Sequence, residues 1–509
     1  MSKKKIVLIS TFPDIQAYGI RMVSSTLKNA GFETNLIFLN ASFGTLYSED
    51  VLRQVSDIAG DSLFVGISLM TNFFERAKQV TVYLKKHLKI PVVWGGIHTA
   101  IKPDECLKYA DIICIGEAEK AIVSLAEKLI VSAQPAQIDN FWFNINGKTV
   151  KNRIVPFIDS IDGLPFPDYE YVNHFVIDKK RLIPMDLKLM EEYLGYEYST
   201  IATRGCFYNC TFCANNFFEK NFNMPGNMKL RSGKMQDLIE ELARIKKHLN
   251  FIRIFKFADD LFMALPEETL KEFCRLYKES GLGLPLDITG VHPLILKEDK
   301  FKLLVAAGLK YVRMGIQSGS HNIRRLYGRS ESDNKILESA GIIHKYKNRL
   351  KAICYDFMVD NPWETTEDIK DSLRLLVQIP RPYRINLFSL TLYPGTELYN
   401  KAKQEGIVSN EGFQIYDKHY HDNVNTSYYN GLFKIIPIYR LPKRCFIFLI
   451  NHKSNLLAKI ICFILLKGIN PVVRLARLKY LIDEGVRDAV SGDFERVNKF
   501  IFRQSKVVH

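Results

Sequence analysis

Along the first ~130 residues, short apolar runs alternate with stretches whose apolar positions recur at helical spacing. Residues 6–10, 35–39, 64–68, 92–94 and 112–115 read as buried strands, and 18–30 and 72–88 as helices between them. This alternation predicts a doubly wound parallel sheet, whose ligands sit in the loops at the carboxyl ends of the strands. Those loops are 10–18, 68–73, 95–99 and 116–119. A second alternation runs from Thr200 to about Lys403, with strands expected at 199–202, 252–257, 286–289, 311–316, 354–359 and 384–390. Helices such as 235–248, 266–280 and 367–378 fall between them. Six βα units make an open version of a barrel, again with its sites at the strand ends. Between the two alternations, 135–195 reads as a connector punctuated by the stiff run Leu164-Pro-Phe-Pro-Asp168. The expected organisation is therefore 1–134, a linker 135–195, a barrel 196–405 and a mainly helical region 406–509.

Composition changes this picture only locally. The 509 residues are 47% hydrophobic and 25% charged, ordinary for a globular chain with two or three cores. The net charge of +15 is unevenly placed, because residues 433–509 hold 15 Lys and Arg against 5 Asp and Glu. Met1-Ser-Lys-Lys-Lys5 leads directly into a strand with no secretory pattern, so a reducing cytoplasm is expected. Six of the nine cysteines are scattered through mostly apolar stretches, where buried free thiols are the ordinary reading.

The other three are Cys206, Cys210 and Cys213, in the run Thr203-Arg-Gly-Cys-Phe-Tyr-Asn-Cys-Thr-Phe-Cys213. The spacing C-x3-C-x2-C gathers three thiolate ligands in eight residues, which suits one cuboidal iron–sulfur cluster. Three ligands for four irons leave one iron open to a small molecule. A closed zinc site would want a fourth Cys or His at comparable spacing, and His292 lies too far along the chain to count.

This spacing, with Phe212 before the third cysteine, resembles the radical S-adenosylmethionine (SAM) superfamily. The lead-in Thr203-Arg204-Gly205 and the following Ala214-Asn215 are similar to its cobalamin-dependent branch, class B methyltransferase-like, which carries a B12-binding domain ahead of the radical domain. The resemblance implies a Rossmann-like (flavodoxin-like) cobalamin domain followed by a partial (β/α)6 barrel. It also implies a 4Fe–4S cluster on the three cysteines, SAM on the open iron, cobalamin in front, and an electron donor such as flavodoxin or ferredoxin. Gly95-Gly96-Ile97-His98 and Gly116-Glu117 are the loops that resemble the cobalamin site. A flavodoxin-like domain without a ligand would show the same strands. The Asp-x-His-x-x-Gly motif that supplies a lower cobalt ligand elsewhere is absent, and His98 reads more readily as a loop hydrogen-bonder.

In the barrel, Asp259-Asp260-Leu-Phe262 resembles a segment lying near SAM. Gln317-Ser318-Gly319 resembles the Glu-Ser-Gly motif that binds the ribose or methionyl part of SAM, with an uncharged amide replacing the Glu. Pro362, Glu364 and Thr365 match a Pro-Gly-Glu-Thr pattern in which Trp363 replaces glycine, and Trp363 reads as packing on adenine, on substrate or in core. Pro394-Gly395-Thr396 matches the turn near the adenine, and Arg231 a basic position ahead of the next helix.

The resemblance implies a hydrogen abstraction by a 5′-deoxyadenosyl radical, then methyl transfer from methylcobalamin to an unactivated carbon of a small-molecule substrate. Oxidative ring closure with the same cofactors is the nearest alternative, and a non-catalytic iron–sulfur carrier or sensor is another. The basic, aliphatic tail suggests the inner face of a membrane and a lipid or pigment precursor as substrate. A helical cap over the substrate pocket stays open beside it, while nucleic acid is not expected because the tail is too aliphatic.

Overall fold

The computed structural model describes residues 4–131, 137–221, 230–419, 424–425, 427–439 and 441–452. It divides into two compact units. The first runs to Asp368 and takes in Ile379–Val424; the second joins Ile369–Gln378 to the chain from Asn425 onward.

The first unit opens with the expected alternation. Strands β1 (Lys5–Ser10), β2 (Glu33–Phe38), β3 (Val65–Ser68), β4 (Val92–Gly95) and β5 (Ile112–Cys114) pair in parallel in the order β5-β4-β3-β1-β2. The order reverses between β1 and β3, which opens a crevice at their carboxyl ends. Helices cover the sheet and bury its apolar positions. Trp94 is fully buried, and its indole N–H donates to Thr81 Oγ1 at 2.8 Å.

The segment read as a linker is instead built into this sheet. β6 (Phe141–Ile145) and β7 (Lys148–Lys151) extend the β5 edge as an antiparallel hairpin. β8 (His174–Asp178) joins β2 in parallel and carries β9 (Arg181–Pro184) back along itself, so the sheet has nine strands. Asn146 and Gly147 both have positive φ, as a two-residue primed turn requires. That Asn-Gly pair, flanked by strand-like residues, was the available signal, and the polar composition of β7 hid it.

Leu164-Pro-Phe-Pro-Asp168 is anchored rather than merely stiff. Asp168 is buried, accepts from Ser24 Oγ at 2.6 Å and pairs with Lys28 at 2.7 Å, both on helix Tyr18–Asn29. Arg21, fully buried on the same helix, donates to the Asp168 carbonyl at 2.5 Å and lies over the rings of Phe38 and Tyr169. Burial works against the Asp168 charge, but His174 and Lys28 outweigh it and hold the carboxyl well below its usual range.

The barrel follows the sequence pattern closely. β10 (Glu197–Thr200) leads to a small ribbon in which β11 (Thr203–Arg204) pairs with β12 (Arg231–Ser232). β10 then continues in a six-stranded parallel sheet with β13 (Ile254–Phe257), β14 (Leu286–Val291), β15 (Leu309–Gln317), β16 (Ala352–Val359) and β17 (Arg384–Ser389), in that order. Alternate residues explain the orientation: Phe255 and Phe257 are fully buried against helix Glu267–Glu279, whereas Lys256 keeps contact with solvent and pairs with Glu197 at 2.8 Å.

In the second unit, helices Tyr428–Ile435 and Lys443–Asn451 are tied by the Tyr428 hydroxyl donating to the Leu449 carbonyl at 2.7 Å. Most of the basic tail, residues 453–509, lies outside the described residues. No helix among the described residues is long and apolar enough to cross a membrane.

Candidate active site

A cavity of about 440 Å³ opens at the carboxyl ends of β1, β3, β4 and β5. Ser68, Gly95, Gly96, Gly116 and Glu117 line it from the front sheet; Thr203, Arg204, Gly205, Ala258 and Asp260 line it from the barrel. Its size is that of a ligand site. Gly96 has φ +105°, and a Cβ there would stand 2.4 Å from the Leu69 carbonyl oxygen, so only glycine lets β4 turn against the β3 loop.

The wall shared by sheet and barrel is ionic. Glu117 accepts from Arg204 Nη1 at 3.1 Å, from Arg231 Nη1 at 2.9 Å and from the Ile158 amide at 2.9 Å, while Glu119 takes Arg204 Nη2 at 2.6 Å. The β11–β12 pairing sets the two arginines opposite each other. Burial disfavours the Arg204 charge, and Glu119 and Glu117 outweigh it, so the guanidinium is held charged. Glu117 is thus a clasp between the front sheet and the strand that leads into Cys206.

The cysteine loop is fixed from several sides. Thr211 donates from its amide to the Tyr327 carbonyl at 3.1 Å and from its hydroxyl to the Leu326 carbonyl at 2.7 Å, and the Leu398 amide donates to the Thr211 carbonyl at 3.1 Å. Phe212 packs edge-on to Tyr327 at 5.2 Å, in a cluster with Ile323, Leu390 and Leu398. Cys206, Cys210 and Cys213 lie within electrostatic reach of one another, and burial pushes the Cys206 and Cys213 thiols up to about 12. Such thiols ionise only beside strong positive charge, which bound metal supplies. Among the described residues no three His, Cys, Asp or Glu side chains converge on one point as a single ion requires. Three cysteine thiols in one loop are the donor chemistry that a cuboidal cluster takes, so this donor set fits a cluster.

The two acids after β13 have different fates. Asp260 faces the cavity and accepts from Asn215 Nδ2 at 2.9 Å, two residues past Cys213. Asp259 is buried and turned the other way, accepting from the Ala202 amide at 3.2 Å, the Thr203 hydroxyl at 2.6 Å and the Thr203 amide. Its oxygens are spent on the backbone leading to Arg204, which corrects its reading as a cofactor contact. His98 is also not brought to the cavity. It lies in helix Ile97–Ile101, fully buried, 3.0 Å from Thr71 Oγ1 and against Phe74 and Tyr416, and burial lowers it to about 4. The cavity lining contains no histidine among the described residues.

The remaining motif residues lie away from the cavity lining. Gln317 has φ +69° and folds its amide over Gly315. Ser318 Oγ accepts from the Ser320 amide at 3.1 Å; Asp368 then takes hydrogen bonds from Ser320 Oγ and from the Thr365 amide, tying the loops after β15 and β16 together. Glu364 lies near Tyr327, and burial, reinforced by Asp368 and Asp360, pushes its carboxyl up to about 8. Trp363 donates to Glu405 at 2.6 Å and packs with core residues, so of its three readings the structure supports packing. Pro394 is buried, and its neighbour Gly395 lies against Phe217 and Ile101, joining the barrel, the cysteine-loop helix and the front sheet.

Residues 4–126 match the B12 binding domain family, and residues 200–376 the Radical SAM superfamily. The chain is a cobalamin-dependent radical SAM enzyme whose cofactors are a 4Fe–4S cluster, SAM and cobalamin. Within that class it is methyltransferase-like. It is 24% identical over 363 residues to an uncharacterized methyltransferase of Pyrococcus horikoshii, covering 70% of this chain and 72% of the relative. Over 368 residues it is 26% identical to bacteriochlorophyllide d C-8(2)-methyltransferase of Chlorobaculum tepidum, with the same coverage of 70% and 72%. The fold is that of the radical SAM methyltransferase TsrM of Kitasatospora setae, solved with cobalamin and a [4Fe-4S] cluster bound (TM-score 0.63, 16% identity, 79% of this chain and 78% of that one).

Proposed function

We propose that the protein methylates an unactivated carbon of a lipophilic small molecule, of the pigment- or lipid-precursor kind. Cys206, Cys210 and Cys213 would hold the cluster, and the glycine-lined cavity the cobalamin. The observation that carries this reading is the cavity's position, with β-strand ends and glycines on one wall and Arg204-Gly205, directly before Cys206, on the other. The bound cofactors would supply reductive SAM cleavage and the methyl group. The chain's own part is to bind, orient and exclude water. Asp259 fixes the backbone at Thr203, Glu117 clasps Arg204 and Arg231, and Asp260 with Asn215 presents polar groups at the edge of the cysteine loop. Phe212, Gln317, Ser318, Glu364 and Pro394 form the surroundings of SAM in this reading. No histidine among the described residues lines the cavity, so none of them would offer the cobalamin an imidazole.

Anaerobic reconstitution with SAM, cobalamin, a strong reductant and lipid or pigment extracts tests the proposal. A product one methylene heavier, formed together with S-adenosylhomocysteine and 5′-deoxyadenosine, is expected. Product oxidation without a mass gain would favour the ring-closing alternative. A flavodoxin- or ferredoxin-type protein is the proposed donor. The excess of 15 cations over 5 anions in residues 433–509 supports docking on the inner face of an anionic membrane. Co-flotation with anionic vesicles that weakens as salt rises is expected, and equal recovery with neutral vesicles would sink that part.

A further inference from the structure

Four side chains from three parts of the chain, Tyr208 of the cysteine loop, His292, Arg329 and Glu331, meet beside Cys210. His292, after β14, stacks on Tyr208 with centroids 3.9 Å apart and planes at 14°. Its Nδ1 accepts from the Leu294 amide at 3.2 Å, so the proton sits on Nε2, which faces Glu331 Oε2 at 3.8 Å. Glu331 is fully buried at its side chain, and its other oxygen accepts from Arg329 Nε at 2.6 Å. Arg329 is itself buried, donates from Nη2 to the Gly315 carbonyl at 2.8 Å, and its charge acts on both Cys210 and Cys206, favouring their thiolates.

The backbone enforces this approach. Gly328, the residue before Arg329, has φ +67°, and a Cβ on it would stand 2.7 Å from the carbonyl oxygen of Asn209, the residue before Cys210. Thr211, on the other side of Cys210, is bonded to Leu326 and Tyr327. The turn at 326–329 and the cysteine loop are therefore packed together, which holds Arg329 beside the cysteine loop. Ordinary Arg–carboxylate pairs lie at surfaces, because taking both charges out of water is costly.

We propose that Arg329 is a positioning residue that sets the reduction potential of the cluster at Cys210, with Glu331 as the counter-charge that limits its effect. This rests on the proposed cluster site. Reduction adds one electron, drawn from a low-potential donor, to a cluster already bearing anionic thiolates. A buried cation beside a ligand sulfur stabilises that added charge, and a buried carboxylate opposes it. Glu331 also fixes the guanidinium's orientation through Nε, and His292 stacks on Tyr208 beside it. The two residues therefore act with opposite signs on one quantity.

The test is EPR-monitored redox titration of the reconstituted full-length protein, with iron and sulfide content measured on each sample. Arg329→Gln is expected to lower the midpoint potential by at least about 59 mV, a tenfold loss of reduced cluster at fixed ambient potential. Glu331→Gln is expected to raise it, and Arg329→Lys to fall between wild type and Arg329→Gln. A wild-type protein that takes up no cluster would overturn the cluster assignment itself. Full cluster content with both potentials unchanged, or moved in the same direction, would overturn only this proposal. Should Arg329→Gln fail to hold a cluster, Glu331→Gln decides alone: a rise supports the proposal, and no change or a fall removes it.

Discussion

Replacing Cys210 with alanine is expected to yield a folded protein that takes up little iron and forms 5′-deoxyadenosine at background rate. The expected loss exceeds about 100-fold, the upper range for removing an outer partner of a metal site. Folding should survive because the loop is held by Thr211 and not by the sulfur. Its amide and hydroxyl engage Tyr327 and Leu326, and its carbonyl engages Leu398. Truncating one small buried side chain there costs stability on the order of 1 kcal/mol. The thiol matters for chemistry because its neighbours are already spent: His292 is committed to Leu294 and Glu331, and Arg329 offers only donors. Among the described residues no imidazole stands ready to replace the lost ligand. Iron and sulfide analysis with a thermal melt checks the prediction, and retention of full iron by Cys210→Ala would refute the assigned ligand set.

The parts legible in the sequence were those written in local spacing. The cysteine run and the six parallel strands β10 and β13–β17 follow from short patterns, since a parallel strand buried on one face advertises itself through β-branched and aromatic residues. Asp259 shows where such reading ends. Two adjacent acids after an apolar strand mark a site, yet which one faces the ligand depends on a half-turn of backbone that no spacing encodes. Glu117 was legible as a site residue, but its role needs Arg204 and Arg231, which lie 87 and 114 positions away. Arg329 and Glu331 carried no motif at all. They matter only because Gly328 brings their turn against Asn209. The hairpin at Asn146-Gly147 is a different case, because its turn signal is local but the strand after it is too polar to stand out as one.

Glu117→Gln is expected to loosen the joint between front sheet and barrel, lowering both the melting temperature and the amount of cobalamin retained. The carboxylate serves Arg204, Arg231 and the Ile158 amide at once, and the three ionic side chains keep only 10–17% of their surface exposed. Removing its charge leaves two guanidiniums with Glu119 alone. A fully buried pair broken in this way costs about 3–5 kcal/mol, and the residual exposure here reduces that to about 2 kcal/mol. Arg231→Gln should cost less, because Arg204 keeps both Glu117 and Glu119. Glu117→Gln and Arg204→Gln should be non-additive by about 0.5–3 kcal/mol, since each removes the other's partner. Cobalamin loss follows from position. Gly116 and Glu117 line the cavity, so a shift of their loop widens the wall that the ligand would rest on. Calorimetry and the cobalamin absorbance of gel-filtered protein measure the two effects. A variant that melts earlier but retains cobalamin fully would assign Glu117 to stability alone.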